Sequence, residues 1–192
     1  MRRAFSLLAL GITIALTAAA PVPAPVLTLT SIKAVDSASE DKDQWSVKGY
    51  LSDPDADVIS GIEDYGLEAE LQGDVLDTLD SVTFDVDDCK VLNNNKGITC
   101  ETSSARLSIR KTNKIPKALI AAQRFNNRTS PSASSYYAVS GVFRRREFQE
   151  DPVETPLTAV FIVDTTPYDD INTACTEKSG ARTSRYSCKP GI

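Results

Sequence analysis

The chain has 192 residues, 41% of them hydrophobic and 24% charged, with a formal net charge of −5, four Cys and no His. Without imidazole, Ser-His-Asp or Cys-His catalysis, His-ligated zinc, copper or haem, and a His-based pH switch are excluded. No GxSxG, phosphate-loop or GxGxxG motif is present either, so the residues point away from an enzyme and toward binding or assembly.

In chain order, residues 1–19 have the layout of a cleaved signal peptide: Arg2 and Arg3, a mostly apolar run Ala4 to Leu16, then the small residues Thr17, Ala18 and Ala19. The arginine pair also fits a twin-arginine leader. The apolar run is too short for a membrane span, which needs about 20 residues, and no later segment qualifies. The expected location is therefore secreted, extracellular or periplasmic, with no integral membrane segment. Residues 20–43 read as a Pro-rich arm, a strand and an acidic linker, and residues 44–192 as the folded body.

Short runs rich in Val, Ile, Thr, Tyr and Phe, separated by turn residues, predict strands. They fall near Val26 to Val35, Gln44 to Leu51, Leu67 to Gln72, Ser81 to Val86 and Lys90 to Leu92. The series continues near Gly97 to Glu101, Ala105 to Arg110, Tyr136 to Phe143, Thr158 to Val163 and Ser184 to Cys188. Only Pro116 to Phe125 looks helical, with Pro in the first turn. The fold class expected is all-β, an antiparallel β-sandwich that is Ig-like in general architecture, with one short helix and two disulfide-clamped hairpins.

The chain also matches itself. Trp45 to Leu51 aligns with Tyr137 to Phe143 at an offset of 92, and Leu67 to Leu71 with Leu157 to Phe161 at an offset of 90. Each match is followed by a cysteine pair, which suggests a repeat over 45–100 and 137–188. Gly49 and Gly141 would then occupy equivalent bends or bulges.

Cys89 and Cys100 enclose one loop and Cys175 and Cys188 another. Neither spacing is a CxxC knuckle, and exported chains oxidise such thiols. Of the three connectivities, local pairing within each loop is the expected one. In the chain-entropy model each bond then contributes about 3 kcal/mol.

Charge is distributed in blocks: residues 36–88 carry a net −15, residues 89–149 a net +10 and residues 150–192 a net −3. The favoured arrangement puts acidic strands beside basic ones, where cross-strand pairs contribute roughly 0.2–1 kcal/mol each. The alternative is a molecule with oppositely charged ends, suited to self-association or to steering a charged partner.

Candidate sites follow from these blocks. Asp53, Asp55 and Asp57 stand at alternate positions as hard oxygen ligands for calcium, with Asp85, Asp87 and Asp88 as further donors. The EF-hand pattern fails, because Val58 stands where Gly is needed and Asp64 where Glu is needed. No cofactor is expected apart from this calcium candidate. Arg144, Arg145 and Arg146, with Arg106, Arg110 and Lys111 in the same block, form a candidate anion-binding cluster for phosphate or sulfated glycan. Nucleic acid is not an expected partner, since the mature net charge is −7 and aromatic residues are not interleaved with the bases.

The function expected is a secreted, non-catalytic binding or surface-assembly module with a protein or anionic glycan partner. The alternatives are a secreted hydrolase inhibitor using the long loop Asn113 to Ser135, and a His-independent carbohydrate-active enzyme using two carboxylates. Asn127-Arg128-Thr129 is a glycosylation sequon within that loop.

Overall fold

A computed structural model describes residues 26–39, 41–52, 58–73, 77–92, 96–112, 136–149, 153–170 and 173–190. The predicted signal peptide, the Pro-rich arm, the Asp53 to Asp57 segment and the predicted helix at Pro116 to Phe125 lie outside these residues. So do the sequon and the rest of the loop Asn113 to Ser135.

Two antiparallel sheets pack face to face. The larger has eight strands in the order β11-β12-β1-β2-β8-β7-β6-β5 and the smaller four in the order β10-β9-β3-β4. The first half of the chain supplies β1 (Val26–Ser37), β2 (Asp43–Ser52), β3 (Leu67–Gln72), β4 (Thr78–Phe84), β5 (Cys89–Leu92) and β6 (Gly97–Glu101). The second supplies β7 (Ala105–Thr112), β8 (Tyr136–Arg146), β9 (Thr158–Val163), β10 (Thr166–Asp170), β11 (Thr173–Ser179) and β12 (Thr183–Pro190). This is the antiparallel β-sandwich that the strand pattern predicts.

Alternation explains why these residues form these strands. In β2, Trp45, Val47, Gly49 and Leu51 are buried while Gln44, Ser46, Lys48 and Tyr50 face away from the core. In β3 the buried set is Leu67, Ala69 and Leu71. A period of two gives each sheet one apolar face, and the two apolar faces cover one another. At the centre, the Trp45 and Phe143 rings stack with centroids 3.7 Å apart, and the ring of Phe84 in the smaller sheet approaches Phe143 at 6.3 Å.

Two polar edge strands escape the sequence pattern. β10 contains Pro167 and two Asp, and β11 is Thr-Ala-Cys-Thr-Glu-Lys-Ser, exposed along much of its length. Each sits at the end of its sheet, where Pro is tolerated and charge discourages unwanted pairing.

The helix among the described residues is α1 (Val58–Tyr65), not the predicted one. Its β-branched residues disguise it. Val58, Ile59 and Ile62 nevertheless fall on one face and are buried against β5, β6 and β9. It ends at Gly66, whose φ of +78° is open to Gly and whose N–H bonds the Ile62 carbonyl at 2.9 Å.

Both cystines join directly opposed residues of a hairpin: Cys89 to Cys100 across β5 and β6, Cys175 to Cys188 across β11 and β12. Local pairing is thus the connectivity, and all four cysteines are consumed. No helix among the described residues is long and apolar enough to cross a membrane.

The two glycines singled out by the repeat do not sit in matching bulges. A bulge lies on β1 beside Gly49, between Leu29 and Ser31, whereas β7 and β8 pair regularly through Gly141. What the glycines share is crowding. A Cβ on Gly49 would lie 2.7 Å from the Thr28 carbonyl oxygen, and one on Gly141 would lie 2.8 Å from Phe143 and 2.9 Å from Leu107.

Candidate anion-binding face

The arginine triplet ends β8, and one irregularity decides the fate of each side chain. Between Asp43 and Trp45 the pairing of β2 with β8 shifts register, and Arg145 takes the left-handed conformation at φ 54°. The extra residue inverts the in–out alternation beyond it. Arg144 therefore points outward with the exposed side of β8, and Arg146 turns toward the smaller sheet.

There Arg146 meets Asp80, whose side chain is 5% exposed. Its Nε donates to Asp80 Oδ2 at 2.8 Å and its Nη2 to Asp80 Oδ1 at 2.7 Å and to the Ser81 carbonyl at 2.8 Å. The indole Nε1 of Trp45 donates to the same carboxylate at 2.6 Å. A second buried carboxylate, Asp43, accepts the backbone N–H of Ser37 at 2.7 Å and of Phe148 at 2.8 Å. Arg146 is thus turned away from Arg144 and committed, through its Nε and Nη2, to tying the two sheets together.

The outward side of the larger sheet has a different character. Cross-strand register puts Lys33, Ser46, Val142, Arg106 and Glu101 in one row, and Ser31, Lys48, Ser140, Ser108, Thr99 and Lys90 in the next. Arg110 follows one row further on, Arg144 lies toward the end of β8, and β11 and β12 add Lys178, Arg185 and Lys189. Among the described residues, nine exposed Lys and Arg on this face stand against one acid, Glu101. Glu101 lies 3.8 Å from Arg106 with both side chains about 60% exposed, a pairing worth about 0–1 kcal/mol.

Two shallow depressions mark this surface. One of about 410 Å³ is bounded by Arg106, Arg144, Arg145, Ser108, Ser140 and the Thr102 to Ser104 turn, the other of about 340 Å³ by Arg106, Arg110, Ser108 and Ser140. Guanidinium forks beside serine hydroxyls supply donors suited to sulfate, phosphate or carboxylate groups. Lys111, also in the basic block, is exposed near the end of β7 but opposite Tyr137 on the inward register.

The smaller sheet reverses the sign. Strands β3, β4, β9 and β10 contain no Lys or Arg, and Glu68 and Glu70 stand on the outward side of β3. Of the acidic block, β3 and β4 lie in the smaller sheet, while β2 lies in the larger one beside the basic strands. The two blocks meet in one strand pair, β2 with β8, where Asp43 lies opposite Arg146, whereas β3 pairs with β4 and β9 and neither β3 nor β4 pairs with β7 or β8. An ion pair between Arg146 and Asp80 joins the two blocks across the sheets.

Of the calcium candidates, Asp53, Asp55 and Asp57 lie outside the described residues. Asp85, Asp87 and Asp88 sit on a 3-10 turn spanning Val86–Asp88 and its entry, where Asp88 Oδ2 accepts the Asp85 N–H at 3.2 Å. Asp64, the twelfth position of the failed EF-hand pattern, is exposed on α1.

The lysines at 33, 48 and 90 and the bases at 185 and 189 escape the sequence reading because they are scattered singly among strands. Their alternation with buried residues is visible in sequence, but only the strand order shows that they share a face. The fold and this face together define a disulfide-stabilised antiparallel β-sandwich with one cationic sheet surface. Comparison with protein-family models, characterised proteins and solved structures finds no match to the chain.

Proposed function

We propose that the protein is a secreted, non-catalytic module that binds an anionic glycan on the outer face of its eight-stranded sheet. The observation that carries this reading is the composition of that face, nine exposed bases against one acid among the described residues. A flat cationic surface sums the potentials of its charges and attracts a polyanion more strongly than it attracts any single anion. Interleaved Ser and Thr offer neutral donors between the charges, whereas among the described residues Tyr50 and the buried Tyr136 give this face no stacking platform for nucleic acid bases. The signal-like leader and the two cystines support export.

Retention on immobilised heparin at physiological salt is the test. The oxidised wild type should be retained and should elute as salt rises. The triple variant Arg106→Glu, Arg110→Glu, Arg144→Glu should elute at clearly lower salt than the wild type, with an unchanged circular dichroism spectrum. Flow-through of the wild type would reject the glycan reading.

The opposite signs of the two sheets favour a second reading, stacking of copies with the basic sheet of one on the acidic sheet of the next. Sedimentation separates the two. Stacking gives concentration-dependent growth that high salt dissolves, and a glycan-binding monomer keeps one sedimentation coefficient throughout.

A further inference from the structure

Both sheets read the same from either end. Matching β1 to β6 with β7 to β12 turns the order β11-β12-β1-β2-β8-β7-β6-β5 into its own reverse, and does the same for β10-β9-β3-β4. The matching also fixes single residues. At the centre of the larger sheet Lys48 lies opposite Ser140, the residue 92 positions later. At the centre of the smaller sheet Glu70 lies opposite Val160, 90 positions later. These are the two offsets at which the sequence matches itself.

An isologous contact requires that when one residue meets a second, their counterparts meet in the reverse sense. Val47 faces Gly141 and Gly49 faces Val139, while Trp45 faces Phe143 and Leu51 faces Tyr137. A chance resemblance between two strands would not dictate how those strands pair.

The cystine hairpins complete the pattern by crossing over. The β5–β6 hairpin of the first half extends the sheet beside β7 of the second, and the β11–β12 hairpin of the second extends it beside β1 of the first. Two basic wings flank the central β2–β8 pair. Lys33 and Arg110 hold corresponding places, one facing Ser46 and the other facing Ala138, again 92 residues apart. The wing ending in β11 adds Lys178, Arg185 and Lys189, and the wing ending in β5 adds Lys90 and Arg106.

We infer that residues 26–101 and 105–190 are duplicated halves with exchanged cystine hairpins, and that the duplication equips the cationic face with two anion sites, one per wing. The proposal rests on the glycan reading above and adds its valency. From β12 to β7 there are four strand spacings, about 19 Å in all. One sulfated chain longer than this span occupies both sites, and its second contact is intramolecular, which raises affinity by about 10²–10⁴ without new groups.

Calorimetry on the mature oxidised protein tests this with two probes, a heparin disaccharide and full-length heparin. Two disaccharides should bind per protein, and the long chain should bind at least 100-fold more tightly per site. Arg106→Glu with Arg110→Glu should leave one disaccharide site and remove the long-chain gain. Arg185→Glu with Lys189→Glu should do the same on the other wing. All four positions are exposed, so both variants should keep the wild-type melting temperature within a few degrees. One disaccharide per wild-type molecule, or loss of all binding on altering either wing, would overturn the two-site inference while leaving the glycan reading in place. Absence of any heparin binding to the wild type would reject both.

Discussion

The inner and outer sides of the eight-stranded sheet use similar residues for opposite ends. Arg144 and Arg146 are two positions apart on β8, yet one faces solvent among other bases and the other is held by Asp80 against Trp45. Gly141 and Ser140 are adjacent, yet one admits the ring of Phe143 and the other lines an open depression. On the inner side every polar atom is committed to a protein partner: among the described residues no buried side-chain nitrogen or oxygen lacks one. On the outer side most of the charge is left to solvent. If the outer side binds as proposed, stability and recognition are separable properties of one sheet, and substitutions on the two sides should fail in different ways.

The largest effect is expected from Asp80→Ala, which removes the carboxylate that pairs with the half-buried Arg146 guanidinium, leaving it the Ser81 carbonyl, and deprives the buried Trp45 indole N–H of its acceptor. Removing one partner of a buried ion pair costs about 3–5 kcal/mol, measurable by urea denaturation. A cost near zero would mean that the Asp80 network is solvated and the inner side is less committed than its geometry indicates.

Replacing Cys175 and Cys188 by Ala should cost about 3 kcal/mol through the freed unfolded chain, and so should replacing Cys89 and Cys100, because the two loops are similar in length. Unequal losses would sharpen the picture by revealing which wing depends more on its clamp. Gly141→Ala should cost about 1–3 kcal/mol by overpacking, since the added carbon would press on both Phe143 and Leu107.

The smallest stability change belongs to Arg144→Ala. Exposed and outside the core, it should alter unfolding by less than about 0.5 kcal/mol while lowering the salt concentration needed for elution from heparin. A large stability loss there would erase the distinction between the two sides.

Legibility in the sequence follows the same division. Strands buried on one face, such as β2 and β3, announce themselves through alternation, and the cystines through loop spacing. Edge strands do not, because β10 and β11 have no hydrophobic stripe to display. α1 was hidden by Val58, Ile59 and Ile62, residues that read equally as strand. The arginine triplet was visible as a cluster, but the bulge that turns Arg146 inward leaves no mark in a list of residues. The remaining bases of the cationic face needed the strand order, since Lys33 on β1 and Arg106 on β7 share a row only after β2 and β8 come between them.

The pairing of β1 with β12 also sets a schedule. Ile32 lies opposite Cys188, 156 residues later, so the outer hydrogen bonds of β1 have no partner until nearly the whole described chain has been made. At synthesis rates of roughly 5–20 residues per second, that interval is on the order of ten seconds. Closure of the sheet consequently waits for β12, and the Cys175–Cys188 bond fixes the β11–β12 hairpin that has to dock on β1.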